Sequence, residues 1–205
     1  MEYKQHSTTT RYIALVAALT AIYSSYGYVS GIALQPLTRS LGLFFLLPTF
    51  FAILVSLTGK RWSSTLLGTI IGLLFLYPTA DVPFFPYIAI SLIANGLVFD
   101  LCLIKSKTSS YELSRRQLVT ASALGNLVMA VAWLFAFQIF SLGVIQSASL
   151  GPSALTGGFL WAFALIIDTS VGVAGGFLGY VIVERVRGVQ TRRALVARTS
   201  MQIRA

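Results

Sequence analysis

The sequence predicts an all-α protein, an integral membrane bundle of six transmembrane helices with its N- and C-termini in the cytoplasm. Three observations carry this. First, 56% of the 205 residues are hydrophobic and only 10% are charged, with a mean hydropathy of +0.81. That is more apolar surface than a water-soluble core of this size hides. Second, six apolar stretches, over 12–34, 41–58, 63–79, 84–104, 118–141 and 155–183, have about the length of roughly 20 residues that a helix needs to cross a bilayer. Third, the cations occupy alternate gaps. Lys4 and Arg11 precede the first stretch, Lys60 and Arg61 follow the second, and Lys105, Lys107, Arg115 and Arg116 follow the fourth. Arg185, Arg187, Arg192, Arg193, Arg198 and Arg204 follow the sixth. The other gaps, 35–41, 79–85 and 141–155, hold Arg39 and Asp81 and no further charge. Loops rich in Lys and Arg stay on the cytoplasmic side, which sets the orientation. The expected organisation is a cytoplasmic tail over 1–11, a membrane domain over 12–183 and a basic cytoplasmic tail over 184–205.

Composition also removes several function classes. The net charge is +9, but the basic residues flank spans instead of interleaving with stacking aromatics, so no nucleic-acid partner is expected. The C-terminal tail is expected to lie against anionic lipid headgroups, at about 1 kcal/mol per Lys or Arg. The single cysteine, Cys102, rules out an internal disulfide framework. His6 stands alone, no His-Glu-x-x-His occurs, and no phosphate-binding Gly-x4-Gly-Lys-Ser/Thr loop occurs. Neither a metal nor a cofactor is expected, and without paired catalytic groups the chain does not read as an enzyme. The first span begins like a secretory signal, but its apolar-aromatic run continues through Tyr28 to Leu34, long enough to be retained.

Span one places Ala14 and Ala18, and Ala17 and Ala21, four apart on one helix side, where small residues let two helices approach closely in lipid. Internal packing and docking of a separate membrane subunit both fit that spacing. Its outer half, Tyr23, Ser24, Ser25, Tyr26, Tyr28 and Ser30, suits an interfacial belt or a polar cavity. Arg39, in the connection 35–41, is the one outer cation and a candidate anion contact. Span two carries Pro48, which removes a backbone hydrogen bond and predicts a kink. Gly68 and Gly72 form a close-packing pair in span three.

Span four holds Asn95 near mid-membrane and Asp100 in the inner third. A carboxylate there needs a partner or water, and Lys60, Arg61 and Lys105 are within expected reach, which favours a structural role. Span five has Asn126 and Trp133 seven apart on one face, with Gln138 further out. Span six has Trp161 and Asp168 in the same relation. Asp168 is the deepest charge and is expected to be neutral, solvated, hydrogen-bonded by Asn126 or Asn95, or paired with a cationic ligand. The glycines that follow, Gly172 with Gly176 and Gly175 with Gly179, permit tight packing, expected on the alanine face of span one.

These pieces together resemble a substrate-binding (S) component of an energy-coupling factor (ECF) type ABC transporter. The resemblance covers most of the chain and rests on six spans with both ends inside, the Ala14-x3-Ala18 pattern, and a glycine-rich last span running into Glu184-Arg185. It implies capture of a vitamin or similar micronutrient from outside, with release driven by a transmembrane coupling subunit and two ATPase subunits. It implies docking of that coupling subunit at Ala14 and Ala18. It also implies a pocket in the outer half, mapping to Arg39, Tyr87, Asn95, Asn126, Trp133, Gln138 and Trp161 with Asp168 at its floor. No signature names the ligand. The alternatives are a stand-alone secondary carrier or channel-like protein using Asp168, and a membrane scaffold that transports nothing.

Overall fold

A computed structural model describes residues 2–33, 36–74, 86–104, 113–140 and 158–204, with side chains mainly over 9–29, 42–74, 89–103, 113–132 and 165–189. Among the described residues six helices form: α1 (Glu2–Ala33), α2 (Pro36–Thr58), α3 (Ser63–Leu74), α4 (Pro86–Ile104), α5 (Arg115–Phe140) and α6 (Gly158–Arg204). The all-α class stands. Helix runs further than the apolar stretches do, because nothing in the polar tails breaks it. α1 starts at Glu2 and α6 continues to Arg204, so 1–11 and 184–205 are mostly helical extensions. Arg39 belongs to α2, not to a loop, since Pro36 opens that helix at the position where a missing N–H costs nothing.

Helix ends follow local chemistry. Gly59 closes α2 in the left-handed region, φ 62°, and its N–H donates to the Val55 carbonyl at 2.8 Å. The Arg187 guanidinium donates to the Ser56 carbonyl at 3.1 Å, a cation at the negative end of α2. Ser114 and Gln117 form a reciprocal cap at the start of α5: the Ser114 N–H donates to Gln117 Oε1 at 2.9 Å, and the Gln117 N–H to Ser114 Oγ at 3.3 Å.

α3, α4, α5, α6 and α2 pack in that succession, each on the next, and α2 also meets α3 and α5. Leu47, Phe51 and Leu54 of α2 meet Leu67 and Ile71 of α3, Leu92 and Phe99 of α4, and Leu118 and Met129 of α5 in one core. Phe51 and Phe99 sit edge to face, 5.4 Å between centroids. α1 lies outside this set, against α2 and α3, anchored by Tyr23 edge-on to Phe50.

The last span does not pack on span one as expected. A side chain at Gly172 or Gly176 would strike the Ser122 and Leu118 carbonyls of α5, and one at Gly175 or Gly179 would strike the Phe45 and Thr49 carbonyls of α2. The two glycine pairs therefore wedge α6 between α5 and α2. Gly68 does fulfil its expected part, since a Cβ there would lie 2.6 Å from the Leu92 carbonyl of α4.

Beside the apolar core the bundle buries several polar side chains and leaves many large apolar ones exposed. Asn95, Asn126, Ser122, Ser91, Thr49 and Asp168 are buried, while Ile13, Ile22, Leu73, Ile90, Leu101, Val131, Phe135, Ile166 and Phe177 are exposed. Among the described residues two helical segments, Thr9–Val29 and Leu165–Val189, are long and apolar enough to cross a membrane. Only 28% and 33% of their apolar windows are buried, whereas the core helix of a soluble protein is mostly buried.

Candidate functional site

The buried polar centre begins with Pro48. Without an N–H, it leaves the Phe44 carbonyl one turn earlier without its helical donor. Asn126 of α5 supplies one: its Nδ2 donates to Phe44 O at 3.1 Å and to Asp168 O of α6 at 3.1 Å. With both amide hydrogens used, Asn126 Oδ1 accepts from Asn95 Nδ2 of α4 at 2.9 Å. Asn95 Nδ2 also stands 3.3 Å from Met129 Sδ, and its Oδ1 is buried without a partner. Thr49 Oγ1 adds a bond to the Gly175 carbonyl at 2.9 Å. One proline thus gathers four helices around an asparagine. Hydrogen bonding between Asn126 and Asp168 was expected at the carboxylate; it occurs at the backbone carbonyl instead.

Asn95 and Asn126 are fully buried and Asp168 is 8% exposed. The side chains of Arg39, Tyr87, Trp133, Gln138 and Trp161 lie outside the described residues, so the outer wall expected of a pocket is not among the positions on view. What the described residues bring together is a closed polar junction of Asn95, Asn126 and the Asp168 carbonyl.

Asp100 has a different role from the expected pairing with Lys60 or Arg61. Its Oδ2 accepts from the Thr65 N–H at 2.8 Å and from Thr65 Oγ1 at 2.7 Å, and its Oδ1 accepts from the Ser64 N–H at 3.4 Å. These amides belong to the first turn of α3, where unpaired N–H groups favour a carboxylate. Asp100 caps α3 from across the α3–α4 interface. Just before it, Trp62 holds φ 63°, a left-handed backbone uncommon for a bulky residue. Lys60 instead places Nζ 4.0 Å from the centroid of the Tyr12 ring.

The second feature is the outward side of α1. Val16, Leu19, Thr20, Tyr23 and Gly27 are buried in one stripe, Ala14 and Ala18 fall on the opposite side, exposed, and Ala17 and Ala21 are exposed between the two, towards α3. Between α1 and α3 runs a groove of about 540 Å³ walled mainly by Ile13, Val16, Ala17, Leu66, Ile70 and Leu74, with Tyr12 at one end and Ser24 at the other. Small-residue spacing signalled the alanine side in the sequence; the groove had no such signal, because it depends on how α1 leans against α3.

Comparison with protein-family models, with curated proteins and with solved structures finds no match.

Proposed function

We propose that this chain is the membrane-embedded substrate-capture subunit of an ECF-type importer. It binds a small micronutrient from outside and releases it inward together with a transmembrane coupling subunit and two ATPase subunits. The exposed apolar residues support the membrane part of this reading: in lipid, apolar residues face outward and packing among small residues holds helices together. On this reading all six helices belong to the membrane domain, with both termini on the cytoplasmic side.

The observation that carries the transport reading is the alanine side of α1. A small-residue face turned away from its own bundle contributes nothing to internal packing, and it suits close approach by another protein's helix. Ala14 and Ala18 are the docking positions. Arg39, Tyr87, Trp133, Gln138 and Trp161 line the outer chamber, with Asn95, Asn126 and Asp168 forming its base. Transport is binding and reorientation, with no covalent chemistry.

The test is co-purification. The tagged chain should bring down a membrane subunit and ATPases, and the gently purified protein should retain a small molecule detectable by mass spectrometry. Ala14→Leu with Ala18→Leu should abolish assembly and uptake without lowering folded yield. Normal assembly in that variant would sink the docking assignment, and potential-driven uptake without any ATPase would favour a stand-alone carrier.

A further inference from the structure

We propose that the groove between α1 and α3 seats an anionic phospholipid of the cytoplasmic leaflet. Its acyl chain lies along the groove and its phosphate sits beside Lys60 and Arg61. This rests on the membrane reading and on the orientation given by the basic loops, and is independent of the transport reading.

The groove has the dimensions of one chain. From Tyr12 to Ser24 it follows α1 for about 18 Å at 1.5 Å per residue, close to half of a hydrocarbon core of roughly 30 Å. Its volume is about 540 Å³ and its walls are almost entirely apolar. The floor is fixed by the buried Val16, while Ile13, Leu66 and Leu74 are exposed along the rims, so a chain enters sideways from the bilayer.

The mouth is cationic. Tyr12 lines the groove at its inner end, and the Lys60 ammonium stands over that ring, 4.0 Å from the centroid. Arg61, the next residue after Lys60, is exposed. Asp100, the carboxylate on the inner part of α4, is already engaged by Ser64 and Thr65 of α3. Lys60, with Arg61 beside it in the chain, puts positive charge at the end of an apolar slot, which is the charge complement of a phosphodiester with a hydrocarbon tail.

The competing occupant is a partner's transmembrane helix. Thr20, 8% exposed, and Ser24 line the deeper wall with hydroxyls that have no partner, and a helix with polar side chains answers such groups. A helix has no use for the basic mouth, however, and the mouth tips the choice to the lipid.

The experiment uses the full chain in detergent, with lipid binding read by native mass spectrometry. The probes are dioleoylphosphatidylglycerol and dioleoylphosphatidylcholine, which share acyl chains and differ in charge. Wild type should prefer the anionic lipid by about tenfold or more, since each cation near the phosphate adds about fivefold. Lys60→Gln with Arg61→Gln should bring the two lipids near parity, and Ile70→Trp, which fills the groove, should weaken both. Leu74→Trp, at an exposed rim, gives the same reading if Ile70→Trp does not fold. Glycerol phosphate without acyl chains should not displace the lipid; displacement would mark a plain phosphate site and overturn the proposal. Equal retention of the two lipids by wild type would overturn it, as would a photo-crosslinker at Ile70 that captures a polypeptide in cells in place of lipid. Recovery of the chain in the aqueous fraction without detergent would refute the membrane reading itself. Extraction with membranes but no lipid preference would refute the groove proposal alone.

Discussion

α1 and α6 carry the same device, small residues four apart, and the fold turns it in opposite directions. In α6 the glycines face inward, so close to α5 and α2 that an added Cβ at Gly175 would lie 2.5 Å from the Phe45 carbonyl. In α1 Ala14 and Ala18 face away from the bundle, and the buried stripe that holds the helix is Val16, Leu19, Thr20 and Tyr23. The difference lies in what the neighbouring helices offer. Glycine lets backbones meet, and α6 lies between two helices whose carbonyls reach it. α1 has neighbours on one side only, which leaves its small residues without a partner inside the chain. Equal spacing therefore builds a core in one place and an open surface in the other.

Six substitutions, in four tests, sharpen or break this contrast. The largest effect is expected at Gly175→Leu, where carbonyl and ring atoms of α2 must give way. A loss of about 3 kcal/mol should appear as a collapse of folded yield in detergent, and a well-folded variant would show that α6 is not wedged. Next comes Asn126→Ala, which strands the Phe44 carbonyl and removes the oxygen acceptor of the Asn95 amide, at about 2 kcal/mol by thermal unfolding. In a Pro48→Ala background the same change should cost about 1 kcal/mol less, because Phe44 O regains a helical donor. Equal costs in the two backgrounds would separate the asparagine from the proline. Asp100→Ala removes the cap of α3 at about 1 kcal/mol, and limited trypsin digestion at Lys60 and Arg61 should quicken; unchanged cleavage would mean the loop is held by other contacts. The smallest effect belongs to Ala14→Leu with Ala18→Leu, within about 0.5 kcal/mol. A large loss of stability there would place the alanines in internal packing and erase the contrast with α6.

Much of the helical content was legible in the apolar stretches, and the close approach at Gly68 followed from its spacing. The helix extensions over 2–11 and 184–204 were not legible from hydropathy, which reports where apolar residues lie and not where the backbone stops coiling. The seat of α6 was also missed: small-residue spacing states that a helix approaches something closely, but not which helix. Asp100 shows the same limit. Its charge and depth implied a partner, and cations were the natural candidates in a linear reading, whereas the first turn of α3 supplies amides with no charge to advertise them. The cap of α5 was available in Ser114-Arg-Arg-Gln117 as a reciprocal pattern. For the candidate site, sequence picked out Asn95, Asn126 and Asp168 as deep polar groups, and all three are buried. Which atoms bond depended on Pro48, whose effect reaches Asn126 only through the fold.

That junction has a consequence for how the sequence is inherited. The Phe44 carbonyl that Pro48 frees is answered by Asn126, 82 positions further along the chain. Positions 48 and 126 should therefore change as a pair among descendants of this chain. A lineage that regains an ordinary residue at 48 is released to lose the asparagine, and one that loses the asparagine first carries a defect until position 48 follows.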